Sequence, residues 1–265
     1  MQDLSWKVAA VTDRGLCRDE NQDRFYVSPD NRVFVVADGV GGMRGGSRAS
    51  QLAVEAVESR WKSQPPSLND QQAIQLWLAE AVSEANLTIF NIASQDSSVQ
   101  NMATTIVVAV QSDQGTLQIA HVGDSRAYLI REGKTVVLTQ DHSVVMEMLI
   151  KGMLTPDQFR TSPFKNYLTR CVGHEGKVEI DKTPVELKAN DWIILCTDGL
   201  SSVVDEEEIC EIVDESDSPE QACQLLLEKT LDEGAPDNVT IVTIHFSAVV
   251  HPRKPKRRSG KTKSE

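Results

Sequence analysis

The stretch TIVVAVQSDQGTLQIAHVGDSRAYLIREGKTVVL, residues 105–138, decides the fold. It holds four short apolar runs rich in β-branched residues, 105–110, 117–122, 127–130 and 136–138, which suit strands better than helices. Turn signals separate them at residues 113–115, at Gly123-Asp124 and at Glu132-Gly133. The stretch therefore reads as a meander. Consecutive strands without intervening helices argue against a doubly wound parallel sheet.

Outward from this stretch, further strand patterns fall at residues 6–12, 33–37, 178–185, 192–196 and 239–246. Helical patterns occupy residues 47–61 and 71–93 early in the chain, and 206–213 and 219–231 late. Ser47 suits the N-cap of the first, where Ala49, Leu52, Ala53, Ala56 and Val57 make one apolar stripe. In the last, Ala222, Leu225, Leu226 and Lys229 share i, i+3, i+4 rows. The expected class is α+β: two antiparallel sheets packed as a sandwich and flanked by pairs of helices, in the order α-β-β-α. Residues 149–174, with Gly152, Pro156 and Pro163, are less regular and read as a flap over a cleft.

At 265 residues with 40% hydrophobic content, and with no Pro/Ser/Gly linker, residues 1–250 read as one domain. No apolar run approaches the ~20 residues of a spanning helix, and MQDLSWKVAAVTD lacks the features of a signal peptide, so a cytoplasmic protein is expected. The five cysteines, Cys17, Cys171, Cys196, Cys210 and Cys223, form no C-x-x-C pair and read as reduced thiols. The five histidines lack zinc-site spacing, which leaves oxygen-ligated metals. Residues 251–265 carry seven basic residues and one acidic, leaving 20 basic and 38 acidic on residues 1–250, a net −18 within a total of −12. An acidic body repels nucleic acid, so none is expected as partner, and the basic tail reads as disordered. Were the tail the functional part, binding to nucleic acid or membrane would have to depend steeply on salt.

Three acidic pairs stand at strand ends: Asp38-Gly39 after VFVVA, Asp198-Gly199 after WIILCT, and Asp237-Asn238 before VTIVTIHF; Asp124 in HVGDSRAY is a fourth candidate. Each pair alone is an ordinary turn former. Strand ends can gather distant carboxylates into one cleft, where they repel one another unless cations neutralise them, and Mg²⁺ and Mn²⁺ take oxygen ligands.

Taken in order, TDRGLCRDENQDRF, VFVVADGVGG, MATTIVVAV, HVGDSRAY, TQDHS, GMLTPDQFRTSPFKNYLTRCVG, WIILCTDGLSSVV and APDNVTIVTI resemble the metal-dependent protein phosphatase 2C family in its compact bacterial form, over about residues 7–246. The resemblance implies a serine/threonine phosphatase holding two core Mg²⁺ or Mn²⁺ ions and a third, weaker one. Asp38 would bridge the core pair, with the Gly39 carbonyl on one ion and Asp198 and Asp237 completing the other's shell. Asp124 would share the third ion with Asp198. Arg18 would bind phosphate, its planar guanidinium matching two oxygens. Gln22, Asp23 and Asn238 would support from the outer shell.

Two departures from the family pattern stand out. Gln22 replaces a glutamate found in many members, which removes one negative charge. Val40 and Met43 stand where members carry a histidine that protonates the leaving group; His142 of TQDHS reads as structural. The implied reaction is attack by a water bridging metals about 3.5–4 Å apart, with no covalent phosphoenzyme. In keeping with that, Cys17 and Cys171 each neighbour an arginine at the wrong spacing for C-x₅-R. The alternative is a non-catalytic phosphatase-like binding domain. Expected partners are phosphoproteins, with the chain a monomer opposing serine/threonine kinases.

Overall fold

The computed structural model describes residues 4–249. Along the chain run β1 (Leu4–Asp13), β2 (Arg24–Val27), β3 (Val33–Ala37), β4 (Gly39–Val40), α1 (Gly42–Ser63), α2 (Gln71–Gln95), β5 (Ala103–Thr104), β6 (Ile106–Gln111), β7 (Thr116–Val122), β8 (Arg126–Arg131) and β9 (Lys134–Val137). Then follow α3 (Val144–Ile150), α4 (Pro156–Thr161), β10 (Asp181–Glu186), β11 (Trp192–Cys196), α5 (Asp198–Ser201), α6 (Glu206–Asp214), α7 (Pro219–Asp232) and β12 (Val239–Ala248). The expected tail, 251–265, lies outside the described residues.

Two five-stranded antiparallel sheets, ordered β1-β12-β11-β8-β9 and β10-β7-β6-β3-β2, pack face to face. The meander expected over 105–138 is corrected here: β6 pairs with β7 in one sheet and β8 with β9 in the other. The chain crosses between sheets at Gly123-Asp124, because β7 finishes its pairing on β6 and β10 while β8 pairs with β11 and β9. A turn signal says that the chain reverses, not which sheet it rejoins.

Burial on both faces explains why β3 and β11 read as unbroken apolar runs. Val33, Val35 and Ala37 of β3 face α1 and α2, while Phe34 and Val36 face the opposite sheet. In β11, Trp192, Ile194 and Cys196 face α6 and α7, while Ile193 and Leu195 point between the sheets. Each fully buried side chain of this kind contributes about 1.5–3 kcal/mol. The α-β-β-α sandwich is thereby built of three apolar layers.

The helix starts follow local chemistry in most cases. Asp70 caps α2 by accepting from Gln72 and Ala73, and Asp205 and Glu208 form a capping box on α6. Ser47 does not cap: α1 begins at Gly42, and Ser47 Oγ instead accepts a hydrogen bond from Arg24 Nη2 at 2.9 Å. Gly45 and Gly46 weaken the helical signal there, yet the close approach requires Gly46, where a Cβ would lie 2.5 Å from the Gly39 carbonyl oxygen. A Cβ on Gly39 would lie 2.2 Å from the Gly46 carbonyl oxygen, so the first turn of α1 can sit directly on the Asp38-Gly39 loop. Strand β2, only RFYV, was too short to read, and β10 begins at Asp181 rather than 178. No helix among the described residues is long and apolar enough to cross a membrane.

Candidate metal centre

Strand register brings the acidic residues to one end of the sandwich. In the first sheet Cys196 lies opposite Ile241, so Asp198 after β11 and Asp237 before β12 leave at the same edge. In the second, Val36 opposite Val107 and Ile106 opposite Val122 put Asp38 after β3 and Asp124 after β7 together. Each sheet thus supplies two carboxylates. The loop carrying Arg18, Gln22 and Asp23 crosses this same end, since Asp13 pairs with Val239 and Arg24 with Ala37.

The backbone of Asp38 is clamped. Its N–H donates to Thr105 Oγ1 at 3.0 Å, and its carbonyl accepts from Thr104 Oγ1 at 2.7 Å and from the Thr105 N–H at 2.8 Å. Thr105 Oγ1 also shares a hydrogen bond with Ser125 Oγ, 2.6 Å away, which links the Asp38 loop to Asp124's neighbour. Within MATTIVVAV these threonines carry no local signal of that role. Only the pairing of β4 with β5 reveals it.

Burial and mutual repulsion dominate the electrostatics. Burial, then Asp23, Asp198, Asp124 and Asp237, hold the Asp38 carboxyl well above the usual range. Burial and Asp198 do the same to Asp124. Burial and Asp237 push Asp198 up to about 6, opposed by a hydrogen bond with Asp38. Asp198 Oδ1 is buried with no hydrogen-bond partner. Arg18 and Lys165 offset only part of this repulsion, and such a crowded set of oxygen donors is what a hard divalent cation fits.

Around this set, Arg18 Nη2 donates to Asp237 Oδ2 at 2.6 Å while half of the Arg18 side chain stays exposed (52%). Asp237's hydrogen bond raises Arg18's pKa further. Asn238 acts as a brace: its Oδ1 accepts from the Gln22 N–H, and its Nδ2 donates to the Arg14 and Glu20 carbonyls, all at 2.8–2.9 Å. Gln22 turns its side-chain amide to Glu20 at 2.6 Å. Asp23 is buried beneath Asp198, accepts from Thr197 Oγ1 at 2.7 Å, and is pushed up to about 7 by burial.

A family model described as Protein phosphatase 2C matches residues 14–233. The chain belongs to the protein phosphatase 2C family. It is 36% identical over 236 residues to a serine/threonine phosphatase, stp, of Listeria monocytogenes, covering 88% of this chain and 93% of the relative. The crystal structure of the Mycobacterium tuberculosis serine/threonine phosphatase PstP/Ppp superposes with a TM-score of 0.81 at 32% identity, over 91% of this chain and 98% of that one. The PstP catalytic domain in complex with two manganese ions gives 0.82 at 31% identity, over 92% and 100%. The chain is accordingly a metal-dependent serine/threonine protein phosphatase, with phosphoproteins as substrates.

On this phosphatase, the position after Asp38-Gly39 is filled by Val40, 41% exposed and unable to donate a proton. The side chain of Met43 lies outside the described residues. His142 is buried against His121, with ring centroids 4.7 Å apart, and its Nδ1 accepts from the Gly123 N–H. Beside the centre opens a cavity of about 780 Å³ whose lining includes Asp124, Asp198, Met146, Leu149, Phe159 and Lys165. The 149–174 segment, with the end of α3 and all of α4 inside it, therefore borders the cleft. Lys165 lends Asp198 positive potential; a lone lysine in an irregular segment carried no signal of that.

Proposed function

We propose that Asp38, the Gly39 carbonyl, Asp198 and Asp237 hold two divalent cations, Mg²⁺ or Mn²⁺, and that Asp124 joins Asp198 on a third. The observation that carries this is Asp198 Oδ1, buried and without a partner amid carboxylates that push one another's pKa upward. The two manganese ions of the PstP catalytic domain support the same number here. When bound, the cations supply acidification of water and positive charge for phosphoryl oxygens.

The chain's own residues then orient the reaction. Asp38, clamped by Thr104 and Thr105, fixes the centre's geometry before substrate arrives. Arg18 receives the phosphate: one of its five donors faces Asp237, and the planar fork presents the others to two phosphate oxygens. Asp23 and Asn238 hold the backbone around the ligands, and Gln22 places a neutral amide where a carboxylate would attract the second cation more strongly. Cysteine attack is disfavoured chemically, since burial pushes the Cys171 thiol up to about 11 and Cys196 up to about 12.

Residues 1–250 form the catalytic unit. The chain works as a monomer on cytoplasmic phosphoproteins, opposing serine/threonine kinases; its unpaired cysteines fit a reducing compartment. Equilibrium dialysis against Mn²⁺ tests the centre. The parent should retain two ions tightly, and Asp38→Asn should lose both together. An unchanged count in Asp38→Asn would remove Asp38 from the bridging role.

A further inference from the structure

Outside the acidic cluster, among the described residues, titratable side chains also gather at His121, His142, Asp181 and Arg170. Ligand atoms of the first three lie within 4.8 Å of one another, a spacing a cation could span. A guanidinium already occupies it: Arg170 Nη1 is 2.6 Å from Asp181 Oδ1 and 3.0 Å from His142 Nε2. The His142 ring settles the matter. Its Nδ1 accepts the Gly123 N–H at 3.0 Å, so in the neutral ring the proton sits on Nε2, directed at Asp181 Oδ2, 3.5 Å away, and Arg170 Nη1, itself only a donor, bonds Asp181 rather than the ring. Neither nitrogen keeps a lone pair for a metal.

What the ring does instead follows from its neighbours. His142 and Gly123 exchange two hydrogen bonds: the ring accepts from Gly123 N–H, and the His142 N–H donates to the Gly123 carbonyl at 2.9 Å. Gly123 has φ +107°, and a Cβ there would lie 2.6 Å from the Thr105 side chain, so the turn is pinned on both sides. Asp124 is the next residue. On its other flank the His142 carbonyl accepts from the Thr169 N–H at 2.8 Å, and Val144 N–H donates to the Tyr167 carbonyl at 2.8 Å. His142 thus stands between the Asp124 turn and the far end of the segment bordering the cleft.

We infer that His142 is a positioning residue: through Gly123 it fixes where the Asp124 carboxylate points, and through Thr169 it ties that carboxylate to the anchored end of the 149–174 segment. The inference rests on the reading of Asp124 as a ligand of the third, weaker cation. Loss of a residue that orients a ligand typically costs 10- to 100-fold in metal affinity.

Calorimetric titration of Mn²⁺ into the chelator-stripped full chain tests it, with Asp124→Asn, His142→Phe and His142→Asn beside the parent. Asp124→Asn should abolish the weakest site. His142→Phe, which keeps a ring but offers no acceptor, should weaken that site about 10- to 100-fold and leave the tight pair unmoved. His142→Asn places Oδ1 where Nδ1 was and should return the weak site toward the parent's affinity. If His142→Phe titrates like the parent while Asp124→Asn has lost the weak site, the inference is overturned and the Asp124 reading stands. If Asp124→Asn also titrates like the parent, both fall. Equal weakening of all sites in both His142 variants overturns it too, since general packing would then account for the effect. Should His142→Phe not fold, His142→Gln, whose amide reaches the Nε2 position and misses Gly123, takes its place with the same expected loss.

Discussion

Without cations the acidic cluster strains the fold, and Asp198→Asn should relieve it. The carboxyl of Asp198 is pushed up from 3.8 to about 6, first by burial and then by Asp237. At about 1.4 kcal/mol per pH unit, its ionised form costs the folded, cation-free chain about 3 kcal/mol. The folded chain keeps this proton between pH 3.8 and about 6 while the unfolded chain releases it, so the parent loses stability as pH rises through that window. Asp198→Asn lacks the titration. In EDTA at pH 7.5 the variant should therefore melt roughly 6–12 °C above the parent, taking about 2–4 °C per kcal/mol for a chain of this size. The gap should close as pH falls toward 3.8. Saturating Mn²⁺ should reverse the order, because the parent's charge is then compensated and the variant has lost a ligand. Thermal unfolding by circular dichroism across pH, with and without Mn²⁺, reads all of this. A variant less stable than the parent in EDTA at pH 7.5, or a gap that ignores pH, would refute the reasoning.

Other consequences can be measured on the same protein. Arg18→Ala should raise KM for a phosphothreonine peptide and lower kcat/KM by about 10- to 150-fold, the worth of charged hydrogen bonds at about 1.5–3 kcal/mol, with Mn²⁺ binding retained. Ile193→Ala, which empties a fully buried position between the sheets, should destabilise by about 2–5 kcal/mol in urea unfolding without changing activity per folded molecule. Burial, His121 and Arg170 lower the His142 pKa to about 4. The unfolded chain binds that proton first, so stability is lost as pH falls from 6.5 toward 4. In His142→Asn this acid loss should shrink, and equal pH slopes for parent and variant would contradict it.

The legible parts of the molecule were those whose signal is local. Asp38, Asp198 and Asp237 stand at strand ends because β3 and β11 are continuous apolar runs and β12 is rich in β-branched residues, signals carried by short windows of sequence. What could not be read depends on pairing. Nothing near Gly123-Asp124 says that β7 and β8 part into different sheets, and nothing near Arg18 says that it reaches a partner 219 residues away. Ser47 has the chemistry of a cap but lies inside α1, where Gly46, which looks like a helix breaker, packs too tightly on the Asp38-Gly39 loop to carry a side chain. His142 illustrates the same limit: its residue type suggested either proton donor or core, and only its bonds to Gly123 and the Thr169 backbone distinguish a third role.

The central claim is that strand-end carboxylates from two sheets make one cation-dependent hydrolytic centre. Its most direct test is release of phosphate from a phosphothreonine peptide by the parent and by Asp38→Asn, each with Mn²⁺ and with chelator. Turnover by the parent should be abolished by chelator and restored by Mn²⁺, and the rate of Asp38→Asn should be lower by about 10²–10³-fold or more even in Mn²⁺. Equal rates for the two proteins in Mn²⁺ would contradict it.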